Sequence, residues 1–214
     1  MTEFFDLSQP VQPGMTIFPG DPQPAFGTAA GVAAPWRVTE LHLGTHTGTH
    51  IDAASHYVAH GTTIDQYPLE RLILPGLVID LPGLTDDQAV EAGVLSGRLL
   101  GLPKGGAVLI RTGWDRFWNT ERYLRHPYLA VEAAQGLAEA NAGLVGIDAL
   151  NVDSTAQASE QVHRVLLGQD ILIVENLARL NGLQPGQLYQ FSFLPILMPG
   201  LDGSPVRAVA WSNL

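Results

Sequence analysis

The sequence predicts an α/β fold with a mixed β-sheet. Apolar runs typical of buried strands alternate along the chain with stretches typical of helices. At 214 residues and 46% hydrophobic content, the chain can bury one substantial core. Because no shift in composition and no linker divides the sequence, we expect one domain over residues 1–214.

Several segments are predicted to be strands. Most are apolar runs, and those near the end of the chain alternate apolar and polar residues. In chain order the predicted strands are residues 76–81, 107–111, 144–149, 171–174, 187–194 and 206–211. The 23 glycines and 15 prolines supply the tight turns needed between them.

Three segments are predicted to be helices. The first begins at Thr85 or Asp86 and runs to about Leu99, with acidic residues near its positive end. The second, residues 128–142, is rich in Ala, Leu and Glu. The third, residues 156–167, carries His163 near its end, and Glu175 then follows a buried strand.

Charge and composition argue against several classes of partner. A formal net charge of −10 opposes binding to nucleic acid or to an anionic membrane, because both are bound through clustered Lys and Arg. A small-molecule ligand fits better.

The lack of cysteine excludes disulfides, thiolate ligands and a cysteine nucleophile. Residues 1–10 do not resemble a secretory signal and no apolar run has transmembrane length, so we expect a cytoplasmic protein.

Residues 46–56, HTGTHIDAASH, concentrate metal-binding side chains. On an extended strand, side chains alternate between two faces, so His46, His50 and Asp52 would share one face. A helix would rotate Asp52 away, and β-branched residues at alternate positions also favour a strand that runs into a loop. Imidazole nitrogens and carboxylate oxygens suit divalent metals, with zinc the commonest and manganese or iron as alternatives.

The same segment resembles a motif of the metal-dependent cyclase-like hydrolases, the family that includes bacterial kynurenine formamidase. The family pattern His-x-Gly-Thr-His-x-Asp-x-Pro-x-His is matched at every specified position except Ala54, which replaces proline. Further resemblances follow in the family's order and cover nearly the whole chain. They lie at residues 6–8, 18–22, 146–148, 153, 163–167, 171–177 and 202–208.

The resemblance implies a swivelling β/β/α architecture, a homo-oligomer such as a dimer or tetramer, and a metal centre. His46, His50 and Asp52 would form one metal position, and Asp52, His163 and Glu175 a second. A carboxylate has two oxygens and can bridge cations, which supports Asp52 and Glu175 as shared ligands. One or two Zn²⁺ ions per subunit, or Mn²⁺ instead, would fill these positions.

The resemblance also implies roles for two residues near the substrate. His56 would be the catalytic acid/base, and Phe18 would contact the substrate. Phe18 stands where we expect tryptophan in kynurenine formamidases, and it can stack on a ring but lacks the indole N–H. Asn151 stands where we expect serine, and Ala54 leaves the backbone before His56 less restricted than proline would. These departures concern the substrate more than the reaction type.

The implied activity is hydrolysis of an amide C–N bond, with N-formylkynurenine as the leading substrate and tryptophan catabolism as the process. Metal-activated water would attack the amide carbon, and His56 would pass a proton to the leaving amine, a role that suits an imidazole of unperturbed pKa about 6.5. Two alternatives stay open. One is a cyclic amide or lactone substrate such as isatin, and the other is a metal-binding protein without turnover.

Other polar residues have less specific expectations. His42 shares a strand face with His46, as a further ligand or, more simply, as a packed or exposed side chain. His60 and His126 are predicted to be exposed. Asp148 and Asp153 either orient metal ligands or serve as capping and turn residues.

Overall fold

A computed structural model describes residues 2–212, so three terminal residues of the expected domain lie outside the described residues. The strands are β1 (Glu3–Asp6), β2 (Ala25–Thr28), β3 (Thr39–His42), β4 (His50–Asp52), β5 (Ile73–Asp80), β6 (Ala89–Val90), β7 (Ala107–Arg111), β8 (Tyr128–Leu129), β9 (Leu144–Ile147), β10 (Leu172–Glu175), β11 (Tyr189–Ser192), β12 (Gly203–Pro205) and β13 (Val209–Ser212). The helices are α1 (Ala92–Leu95), α2 (Val131–Glu139) and α3 (Gln161–Gly168).

Nine strands of the described chain form one sheet in the order β1-β13-β11-β5-β7-β9-β10-β4-β12. Within it, β5, β7, β9 and β10 run parallel to one another, and the remaining neighbours pair antiparallel. Two short pairs lie apart from this sheet, antiparallel β2–β3 and parallel β6–β8. The predicted α/β fold with a mixed sheet is therefore confirmed.

The central strands are buried on both faces. Ile110 packs on one face with Leu137 of α2 and Leu166 of α3. Leu109, its neighbour along β7, points to a second apolar cluster that includes Phe191 of β11. Since parallel strands with both faces covered form nearly continuous apolar runs, these strands could be predicted from the sequence alone. The predicted segments near the end of the chain are confirmed as β11 and β13.

The first predicted helix, residues 85–99, is wrong over most of its length. Asp87 has φ of 55° and Gly97 has φ of 76°, both in the left-handed region, which a right-handed helix cannot include. Between them the chain forms the short strand β6, and only α1 is helical. The second and third predicted helices are confirmed in shorter form as α2 and α3, and Tyr128 and Leu129 belong to β8 instead.

Strand β4 occupies the position that organises the candidate site. It pairs antiparallel with β10 on one side and with β12 on the other. This places its residues beside the carboxyl end of β10 and the beginning of β12. The carboxyl ends of parallel strands are where ligands commonly bind in open α/β sheets.

Candidate active site

The turn before β4 carries His46, so the prediction that His46, His50 and Asp52 share one extended strand is wrong for His46. Gly48 has φ of 66°, and the chain becomes a strand only at His50. The turn that carries His46 runs from Gly44 to Thr47, and its Thr47 N–H donates to the Gly44 carbonyl at 3.3 Å. The turn nevertheless returns His46 to the same place, with its Nδ1 at 2.7 Å from Asp52 Oδ1.

His50 and Asp52 do share one face of β4, as predicted. His50 Nε2 lies 3.2 Å from Asp52 Oδ1 and 3.6 Å from Glu175 Oε2, because the β4–β10 register sets Glu175 opposite His50. Glu175 is the last residue of β10 rather than a residue after it, which corrects the prediction. The His50 Nδ1–H donates to the Gly48 carbonyl at 2.8 Å, so Nε2 is the nitrogen presented to the carboxylates.

His163 reaches the cluster from α3. It was predicted near the end of the helix but lies in the first turn, because the helix begins only at Gln161. The Asp153 carboxylate accepts the backbone N–H of His163 at 2.9 Å and its Nδ1–H at 2.9 Å. This leaves Nε2 facing Asp52 Oδ2 at 3.6 Å and Glu175 Oε1 at 3.5 Å. Of the two roles expected for Asp153, capping and orienting a ligand, the geometry combines both.

Asp202 is a member of the cluster that the sequence analysis did not single out as a site residue. It precedes β12, whose Gly203 pairs with Asp52. Asp202 Oδ2 lies 3.1 Å from His46 Nε2 and 3.1 Å from His56 Nδ1. The sequence signal that could have identified Asp202 is its place at the start of the 202–208 motif, because no other local pattern distinguishes this residue.

The carboxylates control the charge of the histidines. Burial opposes a proton on His46, yet Asp52 and Asp202 outweigh it and raise the pKa of His46 to about 10. Burial likewise opposes a proton on His163, and the hydrogen bond to Asp153 together with the nearby carboxylates of Asp52 and Glu175 raises its pKa to about 10. The site therefore has a negative potential that favours positive charge.

The residues present fit a divalent cation. Three combinations have ligand atoms within 4.8 Å of one another: His46, His50 and Asp52; Asp52, His163 and Glu175; and His46, His56 and Asp202. Asp52 Oδ2 is fully buried and has no hydrogen-bond partner among the described residues, and such an atom is costly without a proton or a cation. Nitrogen and oxygen donors in this number suit zinc and related metals.

A pocket opens beside these candidate ligands. Its walls include His56, Tyr57, Leu150, Asn151 and Phe18. Phe18 is partly exposed, so its ring is accessible at the pocket. The structure thus brings together every site residue predicted from the sequence, namely Phe18, His46, His50, Asp52, His56, His163 and Glu175. Their individual roles stay predictions.

The remaining histidines lie away from this cluster. His42 and His60 are exposed, as expected. His126, predicted to be exposed, is buried. Both ring nitrogens have partners there, since Nδ1–H donates to the Pro127 carbonyl at 2.9 Å and Nε2 accepts the Thr155 hydroxyl at 2.7 Å. Asp148 accepts the backbone N–H groups of Thr112 and Gly113, a turn role.

Comparison with known proteins places the chain in a family. Residues 5–154 match the Cyclase family model, described as "Putative cyclase". A kynurenine formamidase from Paracidovorax citrulli (strain AAC00-1) is 33% identical over 96% of this chain and 94% of its own length. A solved structure described as a "Potential Metal-Dependent Hydrolase With Cyclase Activity" is 28% identical, with a TM-score of 0.84 and full coverage of both chains. Isatin hydrolase A from Ralstonia solanacearum, 24% identical over 99% of this chain and 92% of its own, shares the fold with a TM-score of 0.88.

The relatives identify the chain as an enzyme of the hydrolase class, and the cluster of candidate ligands is its candidate metal centre. The chain belongs to the Cyclase family. Among the described residues, the structure has no helix long and apolar enough to cross a membrane.

Proposed function

We propose that this protein is a metal-dependent amidohydrolase that cleaves the C–N bond of an aryl formamide, with N-formylkynurenine as the first candidate substrate. The observation that carries the proposal is the convergence of three imidazoles and two buried carboxylates on the wall of a pocket that also contains His56. Similarity to kynurenine formamidases over nearly the whole chain supports the substrate class. Tryptophan breakdown is the corresponding process.

The metal would be held at two adjacent positions. His46, His50 and Asp52 would form the first, and Asp52, His163 and Glu175 the second, so one or two ions bind per subunit. Zinc is our first assignment and manganese the alternative, since neither ligand set includes sulfur. When bound, the ion would polarise the substrate carbonyl and make water at that position a better nucleophile.

His56 would handle the proton. Its Nδ1–H donates to Asp202 at 3.1 Å, which leaves Nε2 as the nitrogen available for proton exchange. Water adds its oxygen to the formyl carbon while His56 takes up a proton from that water, and as the C–N bond breaks His56 delivers this proton to the departing nitrogen. Formate and a free aryl amine are the products. Positioned imidazoles are the commonest groups for such transfers.

Phe18 would contact the aromatic ring of the substrate. Phe18 is 37% exposed at the pocket, so it has surface left to bury. An offset or edge-on contact with a substrate ring suits phenylalanine, although no N–H is available for a hydrogen bond. This residue would therefore influence which aryl amides bind.

We also propose a homo-oligomer, a dimer or tetramer, located in the cytoplasm. The exposed apolar side chains of the β2–β3 hairpin support the oligomer. Phe26 and Leu41 pair across this hairpin and are 42% and 59% exposed, and Trp36 in its connection is 74% exposed. Contiguous exposed apolar groups of this kind commonly mark protein interfaces. Light scattering coupled to size-exclusion chromatography tests this, and a strictly monomeric protein would contradict it.

The activity is tested by the initial rate of N-formyl-L-kynurenine hydrolysis. Protein reconstituted separately with Zn²⁺ and Mn²⁺ is compared with a chelated sample. We expect chelator-sensitive turnover with kcat/KM of at least about 10⁴ M⁻¹s⁻¹, within the usual enzyme range. If the metallated protein does not turn over this substrate but opens cyclic amides or lactones, the substrate assignment is wrong and the hydrolase assignment stands.

A further inference from the structure

A buried hydrogen bond lies beneath the turn that carries His56. The backbone N–H of Ala54 donates to the hydroxyl oxygen of Tyr67 at 3.2 Å. Ala54 is 5% exposed and Tyr67 is 7% exposed, so solvent has little access to replace either partner. An unpaired buried N–H is costly, and the Tyr67 oxygen is the acceptor found for this one among the described residues.

The position of Ala54 determines the position of His56. Ala54 begins the 3-10 turn Ala54–His56, and its carbonyl accepts the N–H groups of Tyr57 at 3.2 Å and Val58 at 2.8 Å. The ring of Tyr57 in turn lies 4.8 Å from the rings of both His56 and His163. A shift of Ala54 would therefore move the whole turn relative to the proposed metal ligands.

Tyr67 is itself held in a fixed orientation. Its O–H donates to Asp170 Oδ1 at 2.6 Å, and Arg71 Nη1 donates to Asp170 Oδ2 at 2.9 Å. Because the Tyr67 proton is directed to Asp170, an oxygen lone pair is left for the Ala54 N–H. Asp170 lies in the connection between α3 and β10, which carry His163 and Glu175. The hydrogen bonds thus join the His56 turn to the elements that hold the second ligand set.

We propose that Tyr67 is a positioning residue for His56. Its hydroxyl fixes Ala54, and through Ala54 the distance of the His56 imidazole from the rest of the site. Tyr67 is absent from the pocket lining, so it acts through the turn rather than on substrate. The inference rests on the proposed function in which His56 transfers the proton.

The test compares two Tyr→Phe variants of the reconstituted protein. Tyr67→Phe removes the acceptor of the Ala54 N–H. Tyr189→Phe is the matched control, because Tyr189 is also buried and its oxygen accepts a backbone N–H, that of Gln184 at 3.0 Å, away from the pocket. Both variants lose the acceptor of a buried backbone N–H, so a general structural cost of that loss would appear in both, and Tyr67→Phe also loses the O–H donated to Asp170.

We expect Tyr67→Phe to lower kcat at least about five-fold with KM changed less than about two-fold, because leaving a buried donor unpaired costs enough to displace the turn. Tyr189→Phe should leave kcat within about two-fold of the unsubstituted protein. A Tyr67→Phe variant with unchanged kcat, or equal losses in both variants, would overturn the proposal.

A second variant tests whether the N–H is the group involved. Ala53 is extended, with φ of −93° and ψ of 162°, and residue 54 begins the turn, so the backbone accepts proline there. Ala54→Pro alone would direct a ring carbon at the Tyr67 hydroxyl and should lower kcat. Combined with Tyr67→Phe it removes both donor and acceptor, and kcat should recover above that of either single variant. No recovery would contradict the proposal.

A readout without turnover separates this proposal from the proposed function. The imidazole NMR signals of His56 should shift in Tyr67→Phe and not in Tyr189→Phe, and the Ala54 amide should exchange faster only in Tyr67→Phe. Unchanged His56 signals overturn the positioning role even if the enzyme hydrolyses formamides. Shifted signals in a protein that hydrolyses no formamide support it while the proposed function fails.

Discussion

Asp153 binds His163 twice, accepting both its backbone N–H and its Nδ1–H at 2.9 Å. The carboxylate also accepts the N–H of Val162 at 3.0 Å, so it caps α3 and orients the imidazole in one arrangement. A carboxylate behind a metal-binding histidine fixes the ring and raises the basicity of the other nitrogen.

Asp153→Asn should therefore weaken metal binding without unfolding the chain. The amide cannot accept all of these hydrogen bonds, so His163 Nε2 loses its fixed direction. We expect the Kd for Zn²⁺ to rise about 10-fold, which is at the lower end of the range for residues that hydrogen-bond to a metal ligand. Competition with a chromophoric chelator measures the Kd. Asp86→Asn, which affects the partly exposed ion pairs with Arg122 and Arg125, is the control, and equal Kd values in both variants would contradict the role.

Asp52→Asn and Glu175→Gln should each cause a larger loss than Asp153→Asn, because these carboxylates would touch the ions directly. Both are buried, and among the described residues the histidines are the groups beside them that can carry a balancing positive charge. We expect the Kd for the metal to rise more than about 100-fold, which is the upper limit for residues that support a ligand without touching the ion. The readout is the number of metal ions per subunit after dialysis against a metal buffer. Exposed Glu160→Gln is the control. Full stoichiometry in both variants would refute the shared-ligand assignment.

His56→Ala should separate metal binding from catalysis. His56 lies at the pocket and contacts Asp202 but is absent from both proposed ligand sets. We expect unchanged metal content and a kcat reduced about 10²- to 10⁴-fold, the usual contribution of a general acid or base. His60→Ala, an exposed histidine a few residues away, should keep full activity. An undiminished kcat in His56→Ala would remove the residue from the mechanism.

His126 should make stability depend on pH. Burial lowers the pKa of His126 below the ordinary value of 6.5, so the unfolded chain takes up this proton more readily than the folded one. The contribution of neutral His126 to the free energy of unfolding is complete above about pH 6.5 and is lost as the pH falls from there toward the folded-state pKa. Urea unfolding at pH 7.5 and 5.5 should show a smaller pH effect in His126→Gln than in the unsubstituted protein. An identical pH effect in both proteins would argue against this source.

The sequence predicted the parts of the fold that leave a local pattern. Strands such as β7 are apolar because both faces are covered, and that signal is visible in any short window. The predicted helix at 85–99 failed because Asp87 and Gly97 adopt left-handed backbone conformations that composition does not reveal. Strand order and register depend on contacts between distant segments, which no local pattern encodes.

The candidate site was predicted by residue type more accurately than by geometry. Alternation along a strand predicted that His46 lies near Asp52, which is correct but for the wrong reason. The turn at Gly48, and not an extended strand, places His46 beside Asp52. The resemblance of the 163–177 region supplied His163 and Glu175. Asp202 was missed as a site residue because only the β4–β12 pairing reveals its proximity to His46.

Strand β12 lies at the edge of the nine-stranded sheet, where β4 is its neighbour among the described strands. Edge strands fray before the centre of a sheet opens, because fewer hydrogen bonds hold them. Fraying of β12 would withdraw Asp202 from His46 and His56 while the central strands and the core stay intact. On gentle heating, activity would therefore disappear below the temperature at which the protein melts, and it would return on cooling as the edge closes again.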